Sequence, residues 1–483
     1  MFRPLPLDAA STGTMRSRTF LSTVGVGVQG SLRFLSSVLV GRIGGPAVLG
    51  VVNSAISTAM FLSLLWPTSA GSAASKFVAR ARGAQRWDEA AAVARHLGGR
   101  TFAAALVLAA VGVGAWTTVG GGDLEGGLCV AALVLGYSGY SFVRGLQFGA
   151  GQVARATGWD VLSASLGLAG LLIALAAGAR GTGLLLPLAA GYAVYTVAGW
   201  PRGSHGRPEA ALRRELDLFV LLGVTGTIAS TGFLQLSMVV ARAADTAEQA
   251  GQYASALALA TPASLLAGSL SLVLFPAMAE TWGRGDHVVF RRQTDHAMRL
   301  MVLIMVGIFG SLILCSRLLV DVVFGARFAE AQQLLPVLLL AVLATSLGVV
   351  SSNSLTTRSQ RGMVITSAAS LSGLLTGLVL WAVIAPQHGV MGVAVGYLCG
   401  TTLITAIPLV VVWRRDNQHW RALMARLGVG LGAALLLLLT QHRLDVDPWL
   451  DPAFALVFLA CWMLLSWRDV RDLLRPLLLR RAG

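Results

Sequence analysis

The chain has 483 residues, 55% of them hydrophobic and only 12% charged, with a mean hydropathy of +0.72 and a formal net charge of +15. Soluble domains carry about a quarter charged residues, so an ordinary soluble enzyme is excluded, and the apolar content excludes disorder. The basic residues sit between apolar runs rather than in polar domains, which excludes a nucleic-acid-binding protein.

What remains is an all-α polytopic membrane protein. A hydrocarbon core of about 30 Å takes roughly 20 apolar residues per helix. In chain order such stretches lie near 19–40, 48–70, 100–119, 126–147, 158–178, 182–200, 217–241, 253–278, 298–320, 333–354, 363–385, 390–413, 424–440 and 453–467, which makes fourteen. Residues 1–18 are polar, contain Pro4 and Pro6, and lack the short apolar run of a cleavable signal. They read as a cytoplasmic tail. A first lobe is expected over 19–200 (spans 1–6), a polar linker over 201–216, and a second lobe over 217–413 (spans 7–12). An extra helix pair over 424–467 and a basic tail over 468–483 complete the chain.

Loop charge orients these spans. Of 37 Lys and Arg residues, 30 fall in the loops on the side of the N-terminus. The opposite loops and outer helix ends hold Arg42, Arg180, Arg242, Arg317, Arg327 and Arg443, and Arg33 alone lies well inside a span, away from either end. Lys and Arg favour cytoplasmic loops, so both termini are expected in the cytoplasm.

A shift of 201 residues brings Ala47–Ala55 (AVLGVVNSA) onto Glu248–Ala256 (EQAGQYASA), matching Gly50 with Gly251, Ser54 with Ser255 and Ala55 with Ala256. Each copy precedes a long apolar helix and then a basic loop. Both copies enter the membrane in the same sense, as in transporters built from two parallel repeats. A pore or a receptor needs no such duplication.

Few motifs carry chemistry. Gly25-x-Gly27-x-x-Gly30 matches the dinucleotide fingerprint, but it lies inside a span with no βαβ unit around it. There is no phosphate-binding loop, and Cys129, Cys315, Cys399 and Cys461 lack metal-ligand spacing. No catalytic residue, metal or cofactor is expected. Gly392, Gly396 and Gly400, with Gly373 and Gly377, form small-residue stripes that predict close packing of spans 11 and 12.

Charge at membrane depth is costly and usually functional. Arg33 lies within the first span, with Gln29 one turn earlier and Ser36 and Ser37 following. It is either an interface anchor or a cation facing a cavity. Asn53 and Ser57 share a face of the second span, and Gln235 and Arg242 stand on the seventh. Arg144, Arg155, Arg358 and Arg361 lie at inner helix ends and read as anchors. Asp160, Asp217 and Glu280 also fall at inner ends, leaving no acid in mid-span. Guanidinium and amide groups without an acid suit an anionic substrate, because a guanidinium pairs well with phosphate.

The chain resembles the multidrug/oligosaccharidyl-lipid/polysaccharide flippase superfamily, on its polysaccharide side. The residues that carry the resemblance are Gly41–Gly50 (GRIGGPAVLG), Ala243–Ser255 (AADTAEQAGQYAS) and Phe275–Ala279 (FPAMA). It implies two six-helix lobes in a V-shaped arrangement plus the C-terminal pair. It also implies alternating access and transfer of undecaprenyl-diphosphate-linked oligosaccharide across the bacterial cytoplasmic membrane. Arg33 is the plausible match to an arginine of the family's cationic cavity, with Arg42 and Arg242 at outer helix ends as weaker counterparts. The extra pair is expected to hold the lipid tail. The implied partners are the lipid-linked substrate, the bilayer, and a polysaccharide polymerase or glycosyltransferases of the same pathway. Lipid II is the alternative substrate. A multidrug antiporter of the same fold predicts a membrane carboxylate, and a lipid-carrier glycosyltransferase predicts an acid–base carboxylate in an early external loop.

Overall fold

A computed structural model describes residues 15–118, 122–201, 206–264, 267, 274, 278–444, 446–467, 469 and 471, which contain helices and no strand. The first half runs through α1 (Met15–Gly44), α2 (Pro46–Leu64), α3 (Pro67–Gly83), α4 (Trp87–Thr118) and α5 (Leu124–Gly149). Then come α6 (Val153–Ala176), α7 (Leu185–Gly199), α8 (Ala210–Thr227), α9 (Phe233–Ala244) and α10 (Ala247–Ala260). After them follow α11 (His287–Leu314), α12 (Ser316–Val323), α13 (Ala331–Arg358), α14 (Gln360–Arg415), α15 (Arg421–Arg443) and α16 (Asp451–Leu465).

Eleven described helices are long and apolar enough to cross a membrane. One of them, α14, is two spans merged across Gly389 (φ 51, ψ −136), a left-handed residue that folds the chain back just after Pro386. With α1 and the expected span at 253–278, the count is fourteen. Residues 265–266, 268–273 and 275–277 lie outside the described residues, and with them Phe275 and Pro276 of the sequence motif.

The two halves of α14 pack as the glycine stripes predict. Gly373 faces the Gly400 carbonyl and Ile404, and Gly396 faces Trp381, whose indole donates to the Val393 carbonyl at 2.9 Å. Elsewhere the helices depart from single continuous spans. The second breaks at Trp66 (φ −150) because Pro67 begins a new helix, α3. The seventh contains a π-helical turn, Ile228–Gly232, between α8 and α9. Its hydroxyls compete for backbone carbonyls there, Thr227 bonding Gly223 at 3.1 Å and Ser230 bonding Gly226 at 2.8 Å. The ninth starts earlier than the apolar run, where Asp286 caps Val289 N at 3.0 Å, and ends at Leu314 before the short α12.

The chain divides into two compact units, Met1–Ala254 and Ser255–Gly483. In the first, α5 packs against α3, α4 and α7, α1 lies on α6, and α2 lies on α9. In the second, α13 packs on both α14 and α11, and α11 also carries α15 and α16.

Within the first unit α2 and α10 touch backbone to backbone. A Cβ on Gly50 would collide with the Ala247 carbonyl, and one on Gly251 with the Pro46 carbonyl. Both pairs of equivalents, 46 with 247 and 50 with 251, are separated by the 201-residue offset of the sequence repeat. Gly251→Ala is therefore expected to destabilise the protein by about 1–3 kcal/mol through overpacking. Gly114→Ala, with nothing within 4 Å, should be neutral or slightly stabilising. Thermal unfolding of the two variants in detergent checks this.

Candidate functional site

A stripe along α1 organises the first unit. Gly25, Gln29, Arg33 and Ser37 recur every four residues and face one side of the helix. Each meets a different partner. Gly25 admits the side chain of Asp160, since a Cβ there would stand 2.6 Å from Asp160 Oδ2. Gln29 is buried, donating to the Asp160 carbonyl at 3.2 Å and to Ser163 Oγ at 3.5 Å. Its amide oxygen accepts from the Tyr192 hydroxyl at 3.4 Å. Arg33 is exposed, and its Nη2 donates to the Tyr137 hydroxyl at 3.1 Å. Ser37 donates to Asn53 Oδ1 at 3.3 Å, joining α1 to α2.

Asp160 anchors this arrangement. It is fully buried, about 10 Å along α6 from Val153 at 1.5 Å per residue. Oδ1 accepts from the Tyr140 hydroxyl at 2.9 Å, and Oδ2 accepts from Arg144 Nε at 3.0 Å. The residue read from sequence as an inner-end acid is thus an interior ion pair, and Arg144 is its partner rather than a free anchor. Arg358 is likewise buried against a carboxylate, that of Asp416.

Four of the six tyrosines gather between Asp160 and Arg33. Tyr137 meets Tyr192 edge-on at 5.3 Å, Tyr140 lies 4.9 Å from Tyr192, and Tyr195 is 4.8 Å from Tyr140. The Arg33 guanidinium carbon stands 5.7 Å from the Tyr137 ring centroid, within cation–π range. Tyr137, Tyr140 and Arg144 share a face of α5 at i, i+3 and i+7, and Tyr192 and Tyr195 lie one turn apart on α7. That spacing was visible in the sequence, but only the packing of α5 and α7 against α1 gave it meaning.

The other expected residues are spread out. Asn53 is half-buried on α2 and bonds the Leu49 carbonyl at 3.4 Å besides Ser37. Gln235 is half-buried on α9. Arg242 lies at the end of α9 and donates to the Asp245 carbonyl at 3.3 Å, while Arg42 is exposed near the end of α1.

The second unit carries an apolar groove of about 600 Å³ between α11 and α16. Leu303, Gly307, Ser311 and Cys315 line one wall, and Trp462 and Met463 the other. Trp462 is fixed by its indole donating to the Leu303 carbonyl at 2.9 Å. Ionic contacts fasten α16 on either side of it. Arg317 Nη2 reaches Asp451 Oδ1 at 2.6 Å, and Gln441 donates to the same oxygen at 3.0 Å. Asp469, just beyond α16, takes Arg426 at 2.7 Å and Arg299 at 3.5 Å.

This helical fold is that of a membrane transporter. A lipid II flippase in an inward closed conformation superposes with a TM-score of 0.71 at 13% identity, covering 94% of this chain and 100% of that one. An inward-facing multidrug-resistance transporter of the MATE family and MOP superfamily gives a TM-score of 0.65 at 14% identity, covering 82% and 98%. A MOP superfamily transporter from Pyrococcus furiosus gives 0.56 at 15% identity, covering 86% and 98%. No curated protein sequence matches the chain.

The family model for the lipid II flippase MurJ matches residues 181–442, more than half of the sequence. The chain belongs to that flippase family and hence to the MOP superfamily expected from its sequence, a group of transporters rather than enzymes. The match begins after α6, so the helices bearing Arg33, Tyr137 and Asp160 lie outside it.

Breaking one half of a buried ion pair leaves the other charge stranded. Asp160→Leu and Arg144→Leu are each expected to cost about 3–5 kcal/mol. The double variant should lose less than either single one, as measured by thermal unfolding.

Proposed function

We propose that this flippase carries an undecaprenyl-diphosphate-linked saccharide across the bacterial cytoplasmic membrane, with both termini in the cytoplasm. The reading rests on Arg33. Its guanidinium is exposed part-way along a membrane helix and is held by a phenol, while Arg144 of the same unit is matched to the Asp160 carboxylate. A cation left unneutralised at that depth is costly, and a diphosphate supplies the oxygens that a guanidinium binds bidentately.

In this mechanism the diphosphate enters from the inner leaflet and displaces water around Arg33. Asn53 and Gln235 offer amide groups to the headgroup, and Arg42 and Arg242 meet it nearer the outer end. Gln29, whose amide is already engaged, supports the helix. The polyprenyl tail stays in the bilayer and lies in the groove between α11 and α16. Access to the site then alternates from one side to the other, and the saccharide leaves outside.

Asp160 is the membrane carboxylate that an antiporter reading calls for. Both of its oxygens are engaged, by Tyr140 and Arg144, which favours a fixed structural charge over an exchangeable cation site. The saccharide is a polysaccharide repeat unit or the lipid II headgroup, and the two share the diphosphate and the tail. A pathway polymerase or glycosyltransferase is the expected source or recipient.

Depleting the protein in its host and extracting undecaprenyl-linked lipids for mass spectrometry separates these substrates. A repeat-unit glycolipid or lipid II should accumulate on the cytoplasmic side, and an unchanged lipid pool would sink the proposal. Arg33→Ala should abolish transport at normal protein levels, whereas Arg33→Lys should keep part of it because the charge survives without the bidentate fork. Ser311→Trp, which fills the groove, should lower transport while leaving thermal stability within about 1 kcal/mol of the parent, since the site opens toward lipid.

A further inference from the structure

We infer that Tyr137 is the positioning residue of the transport site, holding the Arg33 guanidinium in the orientation that receives the diphosphate. This rests on the assignment of Arg33 above. An arginine side chain has several rotatable bonds, and holding it costs entropy that a binding site must supply before or during binding. Here it is supplied beforehand. The Tyr137 hydroxyl accepts from Nη2 at 3.1 Å, and the ring lies beneath the guanidinium carbon at 5.7 Å. One N–H of the guanidinium is therefore taken by a neutral oxygen, with the Tyr192 hydroxyl also close to the group, and no carboxylate cancels the charge, which stays available to a ligand. A carboxylate in the same place would hold the side chain as firmly but would neutralise it.

Tyr137 is itself held. Its ring abuts Tyr192 at 5.3 Å and Tyr140 at 5.8 Å. The hydroxyl of Tyr140 ends on the Asp160 carboxylate, and that of Tyr192 on Gln29, which bonds the Asp160 backbone in turn. The shelf under Arg33 and the helix that carries Arg33 are thus referred to one point on α6. A tyrosine whose role was only to fill space would not need its hydroxyl directed at the guanidinium. Phenylalanine keeps the ring and its packing but lacks that bond, so it isolates the function of the hydroxyl.

The test is binding of undecaprenyl diphosphate to the full chain in lipid nanodiscs, with Arg33→Ala, Tyr137→Phe, Tyr137→Leu and the two double variants. Tyr137→Phe should unfold at the parent temperature and weaken binding roughly tenfold, the size of one hydrogen bond to a charged group. Tyr137→Leu should approach the loss seen in Arg33→Ala. In the Arg33→Ala background neither Tyr137 change should weaken binding further, because a positioning residue has nothing left to position. An equal factor in both backgrounds, or full affinity in Tyr137→Phe, overturns the inference while leaving Arg33 as the anion-binding group. Full affinity in Arg33→Ala overturns the assignment of Arg33 itself, and the inference with it.

Discussion

The buried carboxylate of Asp160 is the constraint around which the first unit is arranged. A charge removed from water must be matched, and Arg144 and Tyr140 on α5 match it; Gln29 on α1 bonds the backbone carbonyl of the same residue, and Tyr192 on α7 joins through Gln29. Each bond fixes the height and rotation of one helix against α6. Hydrocarbon packing alone gives little such specificity between apolar helices, because lipid is as good a solvent for leucine as another helix is. Polar contacts with demanding geometry set the register instead, and Gly25 clears the space that lets α1 approach closely enough to join them.

The second unit solves the same problem with other means. Glycines at 373, 396 and 400 bring the two halves of α14 together over a continuous surface, so shape rather than charge aligns them. The C-terminal pair is held by ions, Arg317 with Asp451 and Asp469 with Arg426. The groove between α11 and α16 is consequently a gap between helices that are tied down elsewhere.

Much of this was legible in the sequence. Hydropathy read out the spans, because the bilayer imposes a length on every helix. The two glycines aligned by the 201-residue shift, Gly50 and Gly251, are where α2 meets α10, and the α14 hairpin was legible from its stripe of small residues. Arg33 stood out because an isolated charge in an apolar run has no other context. Asp160 did not, because a residue near the end of an apolar window looks solvated until the helix is seen to extend backwards to Val153. The tyrosines were equally silent: Tyr137 and Tyr192 are 55 positions apart, and no periodicity within one helix announces a partner on another. The breaks at Trp66 and at Ile228–Gly232 depend on local competition between side chains and backbone, which a hydropathy window averages away.

The meeting of Gly50 with Gly251 constrains two distant places in the chain at once. Where two helices press on each other's backbone, a gain of one methyl on either side is felt by both, and no adjustment of a side chain can absorb it. The flanking positions Pro46 and Ala247 contribute only backbone atoms to this contact. The closeness of the two helices is therefore secured by the two residues with no side chain to change.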